Sequence, residues 1–251
     1  MITLSSDFGT PYPAAMKGVL LRRTDARLVD VAHDFPRQDV RATAFWLREV
    51  LPYFPAATHL VVVDPGVGTD RAAIVVEAAG HTFVAPDNGV VVPAVREIAG
   101  DDFDVYEVAY DDDGTASNTF HGRDVFAPAA ADVHDSPTIA GVERFSPTEK
   151  FVDLTFPTPT VDEETATGEV LVVDDFGNVV TNLPGRLLDG LDRASVDGEV
   201  VPVRRSYAAV DAGDRVVTVG SHGNVELAVN RGRGDDAFGL SVGDRVTVDH
   251  A

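Results

Sequence analysis

The stretch Leu60-Val-Val-Val-Asp64-Pro65-Gly66-Val67-Gly68-Thr-Asp-Arg71 runs an apolar segment into a carboxylate and a Pro-Gly turn, with an arginine seven residues past the carboxylate. A short, wholly apolar run bounded by turn residues is the pattern of a strand buried on both faces, which requires helices above and below its sheet. Outward from it, Ala73-Ile-Val-Val76 and His81-Thr-Phe-Val84 repeat that pattern. Residues 42–53 and 125–134 read as helices, the second rich in alanine and interrupted near its start by Pro128. Strands alternating with helices predict an α/β N-terminal domain on a central, mainly parallel sheet, with loops gathered at the strand ends.

The pattern changes near residue 155. Thr155-Phe-Pro157-Thr-Pro159-Thr-Val-Asp-Glu-Glu-Thr-Ala-Thr-Gly168 places two prolines in a polar run, which is a linker signal. From Glu169 onward, short alternating strands are separated by Asp197-Gly198, Ala212-Gly213-Asp214 and Gly243-Asp244, the spacing of a small β-barrel or sandwich. The expected organisation is an α/β domain over 1–157, a linker over 158–168 and a C-terminal β-barrel domain over 169–251. Asp111-Asp112-Asp113 reads as a solvated turn.

Of the 251 residues, 44% are apolar, enough to bury a sizeable core. There is no cysteine, which removes disulfides and Cys-based zinc or iron–sulfur sites. No apolar run approaches the roughly 20 residues of a membrane span. Ile2-Thr3-Leu4 opens a strand without a basic and apolar leader, so a cytoplasmic location is expected. The formal net charge is −21, and only two of the 20 cationic residues, Lys17 and Lys150, are lysines. Like charge at this density repels itself, and salt screens it over about 8 Å at ~0.15 M and about 3 Å at ~1 M. The composition predicts a halophilic protein from a salt-rich cytoplasm and, with no basic patch, no nucleic-acid partner.

Candidate chemistry sits at the turns. Asp7, in Asp7-Phe8-Gly9, follows the opening strand, where a carboxylate can accept two hydrogen bonds from a ribose diol; a helix cap or turn is the plainer reading. Asp64 and Arg71 from one loop, and His121 in Thr119-Phe-His121-Gly122-Arg123-Asp124 from another, are the parts needed to hold and deprotonate a water molecule. Asp64 and Arg71 alone could be a turn residue and its ion-pair partner, and Arg123 with Asp124 reads as a structural pair. The Asp64–Gly68 segment lacks the Lys-Ser/Thr tail of a phosphate loop. Ala85-Pro86-Asp87-Asn88-Gly89 reads as a turn between strand and helix. Asp174, Phe176 and Asn178 gather a carboxylate, an aromatic ring and an amide that can pair with a purine edge, against the alternative of a β-turn. Asp64, Asp87, His121 and Asp124 are conceivable metal ligands, but their spacing matches no metal motif, and no metal is expected.

Taken in order, Ser6-Asp7-Phe8-Gly9, Met16-Lys17-Gly18, His33-Asp34-Phe-Pro36-Arg-Gln38-Asp39, Val63-Asp64-Pro65-Gly66-Val67-Gly68, Ala85-Pro86-Asp87-Asn88-Gly89, Thr119-Phe120-His121-Gly122-Arg123-Asp124, Phe176-Gly177-Asn178-Val-Val-Thr181-Asn182 and Ser221-His-Gly223-Asn-Val-Glu226 cover nearly the whole chain. Together they resemble the S-adenosyl-L-methionine (SAM) hydroxide adenosyltransferases, the SAM hydrolases related to the fluorinating and chlorinating enzymes. The resemblance implies an α/β domain followed by a β-barrel, assembled as a homotrimer with substrate between the N-domain of one subunit and the C-domain of its neighbour. It implies hydrolysis of SAM to adenosine and L-methionine by in-line attack of water on the ribose C5′, without metal or cofactor. Carried over, Asp7 is the acceptor of the ribose diol, Asp174 the partner of the methionine ammonium and Ser221 of its carboxylate. Phe176 and Asn178 then meet the adenine, and Asp64, Arg71 and His121 match the water-activating triad. The halogenating relatives have a tyrosine in place of Asp64 and replace His121. Thr10-Pro11-Tyr12-Pro13 departs from the family, being short and lacking the acidic residue many relatives place before Pro-Tyr. Competing expectations are a halide-using adenosyltransferase and a non-catalytic SAM or adenosine sensor.

Overall fold

The computed structural model describes residues 1–110, 119–162 and 165–250, so Asp111-Asp112-Asp113 lies outside the described residues. The chain divides into two units, Met1–Thr155 and Phe156–Ala251. In the first, β1 (Ile2–Ser6), α1 (Tyr12–Leu20), β2 (Leu28–Ala32), α2 (Val40–Val50), β3 (Thr58–Val62), β4 (Ala73–Ala78), β5 (His81–Pro86), α3 (Val92–Ala99), β6 (Asp104–Val108), α4 (Ala127–Asp135) and β7 (Phe145–Pro147) follow in order. Their strands form one sheet in the order β2-β1-β3-β5-β4-β6-β7. The pairs β1–β2, β1–β3 and β3–β5 are parallel, whereas β4, β6 and β7 run antiparallel to their neighbours. The sheet is therefore mixed, with its expected parallel character confined to one half. The reason is local: Ala79 and Gly80, at φ 48° and 81°, join β4 to β5 by a two-residue hairpin, and a parallel crossover needs a dozen or so residues.

The apolar run 60–63 is buried on both sides. Leu60 and Val62 share a core with Ile2, Leu4, Met16, Leu20 and Ala130, which brings in α1 and α4. Val61 and Val63, pointing the other way, join Leu47 of α2 and Ala94 and Val95 of α3. Each such side chain contributes roughly 1.5–3 kcal/mol by leaving water, so no face of β3 is free to be polar until the strand ends at Asp64. Asp39 caps α2, its Oδ1 accepting the Ala42 N–H at 2.9 Å. Pro52 then turns the end of the expected helix into a 3-10 turn, Leu51–Tyr53. A π turn, Gly122–Phe126, precedes α4, so helical backbone begins earlier than the alanine-rich run suggests.

Close to the N-terminal ends of β1, β3 and β5, Thr3 Oγ1 lies 2.7 Å from His59 Nδ1, and His59 Nε2 lies 2.9 Å from His81 Nδ1. The two imidazoles stack with centroids 5.2 Å apart, and His59 is fully buried.

The second unit contains β8 (Thr160–Val161), β9 (Thr165–Val173), β10 (Val179–Pro184), β11 (Arg193–Val196), β12 (Glu199–Pro202), β13 (Arg215–Val219), β14 (Asn224–Val229), α5 (Gly234–Phe238) and β15 (Arg245–His250). The main path is β12-β11-β15-β9-β10-β14-β13, with β8 added on β9. A bridge between Val203 and Val217 links the two ends and nearly closes a barrel around Val170, Leu183, Val217, Leu227 and Val246. The Asp197-Gly198 turn joins β11 to β12 with both residues at positive φ, 49° and 87°. The segment 158–168 is not a bare linker: Thr160 and Val161 pair with Thr167 and Ala166. The prolines, at 157 and 159, lie ahead of this pairing, and the Thr/Val/Ala residues after them suit a pleated ribbon. Among the described residues, no helix is long and apolar enough to cross a membrane.

Candidate active site

Asp64 lies just past the C-terminal end of β3, and Arg71 just before β4, so the Pro-Gly turn folds the second back onto the first. Arg71 Nε donates to Asp64 Oδ1 at 3.0 Å, and its Nη2 donates to Asp64 Oδ2, a bidentate pair with both side chains nearly dry. The same Nη2 is 3.3 Å from His121 Nδ1. One guanidinium thus bridges the carboxylate and the imidazole. Arg71 Nη1 donates to the Ala72 carbonyl at 3.1 Å, and its plane lies over the Phe126 ring at 5.1 Å. Tyr110 braces the group, donating to the Arg71 carbonyl at 3.2 Å and packing edge-on against His121. His121, 1% exposed, stands at the start of the π turn. A side chain at Gly122 would come 2.9 Å from Met16 Sδ, so the absence of one lets α1 approach the histidine's turn.

Asp7 follows β1 and is 8% exposed, with its Oδ2 accepting the Gln38 N–H at 2.7 Å. Phe8, Tyr12 and Phe120 pack edge-to-face at 5.5–6.4 Å, which ties the Asp7 loop to the segment carrying His121. The departing segment Thr10-Pro11-Tyr12-Pro13 thus supplies a ring, not a charge. Asp87 accepts the Val152 N–H at 2.7 Å, and Arg123 is paired with Asp124. Among the described residues, no group of three or more His, Asp and Glu side chains is placed to hold a metal.

In the second unit, the Asp174–Asn178 turn carries three of the expected residues. Asp174 Oδ1 accepts the N–H groups of Phe176 and Asn178 at 2.9 and 2.8 Å, and Oδ2 accepts Asn178 Nδ2 at 2.9 Å. Gly177 closes the turn at φ 85°, where a Cβ would also lie 2.8 Å from Arg233 Cβ. These bonds leave Phe176 79% exposed, beside a depression of about 680 Å³ shared with Asp174, Asn178, Tyr207 and Asn230. Ser221 does not line that depression; it is exposed, with Oγ 3.3 Å from His222 Nε2.

Sequence reasoning missed the Tyr207–Glu226 pair. The Tyr207 hydroxyl donates to Oε1 of Glu226, a residue 4% exposed. Burial first, and the Asp174 charge with it, push the Glu226 carboxyl up, against the lowering effect of the Tyr207 bond. The Tyr207 hydroxyl is pushed up too, by burial and by the bond to Glu226. The available signal was one acid inside the apolar run Val225-Glu226-Leu227-Ala228-Val229.

The family model described as the SAM hydroxide adenosyltransferase N-terminal domain matches residues 2–143, and its C-terminal counterpart matches residues 168–247. The chain belongs to the SAM hydroxide adenosyltransferase family. A relative from Salinispora tropica named (R)-S-adenosyl-L-methionine hydrolase is 40% identical, over 98% of this chain and 97% of its own length. One from Thermus thermophilus, with the same name, is 40% identical over 95% of each chain. A crystal structure of an uncharacterized conserved protein from Thermotoga maritima superposes with a TM-score of 0.82 at 33% identity, covering 99% of this chain and 100% of that one.

Proposed function

We propose that this member of the family hydrolyses SAM to adenosine and L-methionine. The observation that carries the reading is the Arg71 guanidinium bridging Asp64 and His121, in a chain of this family with relatives named (R)-S-adenosyl-L-methionine hydrolase. In the reaction, water oxygen attacks C5′ in line with sulfur, the C5′–S bond electrons leave with sulfur as a neutral thioether, and water loses a proton. No general acid is needed, so the demand falls on orienting and deprotonating water. Arg71 can only donate, which makes His121 Nδ1 the acceptor of their contact and leaves the ring hydrogen on Nε2. Asp64 is then the acceptor for the proton of water, while Arg71 and His121 orient the oxygen and stabilise developing hydroxide. The relatives' names carry over a preference for the (R) epimer at sulfur.

Asp7 receives the ribose diol, Asp174 the ammonium, Ser221 the carboxylate, and Phe176 and Asn178 the adenine, an assignment supported by the resemblance and by the grouping of three of these residues around one depression. The resemblance also supports a homotrimer with substrate held between neighbouring subunits, and a reaction without metal or cofactor. The −21 charge and two lysines support a salt-rich cytoplasm as its setting. The test is a single turnover in heavy-oxygen water with SAM stereospecifically labelled at C5′. The label should enter the adenosine 5′-hydroxyl with inversion, and His121→Ala and Asp64→Asn should retain SAM binding while losing about 10²–10⁴ in rate. Unlabelled adenosine or retention of configuration overturns the mechanism, and full activity in both variants overturns the residue assignment.

A further inference from the structure

Two motifs take no part in the chemistry above, yet both converge on the strand end that carries Asp7: His33-Asp34-Phe-Pro36-Arg-Gln38-Asp39 and Met16-Lys17-Gly18. The loop 33–39 grips that strand end at three points. The Gln38 N–H donates to Asp7 Oδ2 at 2.7 Å. The Gly9 N–H donates to the His33 carbonyl at 2.7 Å, and the Phe35 N–H reaches the Ser6 carbonyl at 3.4 Å. Gln38 makes its contact from φ 58°, a left-handed conformation unfavourable for a residue with a side chain, so other contacts must hold it there.

The His33 ring, at the start of the same loop, is anchored on both sides. Ser6 Oγ lies 2.8 Å from Nδ1, and Asp30 Oδ1 lies 3.1 Å from Nε2. Asp30 Oδ2 in turn receives Lys17 Nζ at 2.5 Å. Burial alone would push the Asp30 carboxyl up, but the Lys17 bond and the approach of the His33 ring outweigh it and hold the group below its usual range. A lysine here is informative in a chain with only two. An ammonium seats on one carboxylate oxygen and leaves the other to His33, whereas an arginine fork favours taking both.

We infer that His33 is a positioning residue: wedged between Ser6 and Asp30, its ring fixes the 33–39 loop so that the Gln38 amide holds the Asp7 carboxylate in register for a ribose diol. The inference rests on the proposed role of Asp7. It is tested by comparing adenosine with 2′,3′-dideoxyadenosine as inhibitors of SAM turnover, in the wild type and in His33→Ala, His33→Gln and Asp7→Asn. His33→Ala should weaken adenosine and raise KM for SAM about tenfold, with kcat changed less than about threefold and dideoxyadenosine unaffected. His33→Gln, whose amide can donate to Asp30 and accept from Ser6, should restore both values. Equal weakening of the two inhibitors by His33→Ala, or failure of Gln to rescue, overturns the inference, while a diol-selective loss in Asp7→Asn leaves the ribose reading standing. An equal loss of both inhibitors in Asp7→Asn overturns the ribose reading and the inference with it. Should His33→Ala not fold, Ser6→Ala removes one end of the same relay and is judged by the same two inhibitors.

Discussion

Asp174 is committed to its own turn before any ligand arrives: both carboxylate oxygens already accept hydrogen bonds from Phe176 and Asn178. Such a carboxylate is held rigidly and keeps lone pairs for one more donor, which suits a cation that must be met in a fixed place. Truncation to alanine would orphan the turn's amides, so the informative change is Asp174→Asn, which keeps an acceptor oxygen and removes the charge. SAM, which brings an ammonium, should bind more weakly by roughly 1.5–3 kcal/mol, as expected for a lost charge-assisted bond. Adenosine, which brings none, should bind as before. Calorimetric titration of both ligands checks this, and equal losses would make the residue purely structural. Residue types were legible in the sequence where chemistry demands an unusual neighbour, as with His121 ahead of a glycine. Glu226 and His33 stand in the motifs that carry the resemblance but were given no role of their own, because their partners Tyr207, Ser6 and Asp30 are brought near only by folding.

At the scale of elements, legibility followed burial. β3, β4 and β5 are apolar runs because helices cover both faces of their sheet, and such runs announce themselves. Their relative direction was less visible, since it turned on Ala79-Gly80, a pair without the usual Asn-Gly or Asp-Gly signature. The hairpin of β8 and β9 was masked by prolines that precede it. The π turn ahead of α4 has no sequence period of its own, yet it sets where His121 stands. Ser221, carried over from the resemblance alone, sits in the hairpin between β13 and β14, outside the depression that Asp174, Phe176 and Asn178 share.

For the whole molecule, the −21 charge sets the solution behaviour. Surface ion pairs such as Arg96 with Asp153 and Asp101 offset little of the repulsion, since exposed pairs contribute about 0–1 kcal/mol. Melting temperature should therefore rise steeply from ~0.05 M to ~1 M salt as the screening length shrinks. A flat profile from ~0.1 M upward would remove the case for halophilic adaptation. The stacked imidazoles beneath the parallel strands impose a second limit, on acidity. Burial first, then the neighbouring His81, push His59 down to about 3, and burial lowers His81 as well. Unfolded, both rings would take up protons near pH 6.5, whereas in the native molecule His59 resists protonation and His81 accepts it less readily. The contribution of His59 to stability is therefore complete above that pH and lost below it, by roughly 1.4 kcal/mol per pH unit until its native value is reached. At ~1 M salt, where protonating carboxylates relieves little repulsion, urea midpoints should fall between pH 7 and pH 4.5 and should flatten in His59→Phe. Identical slopes would assign the acid limit to the carboxylates. A protein that gathers Asp64, Arg71 and His121 past one end of its strands thus carries, at the other, a proton-refusing seam whose protonation is the expected limit on how acidic a compartment it can survive.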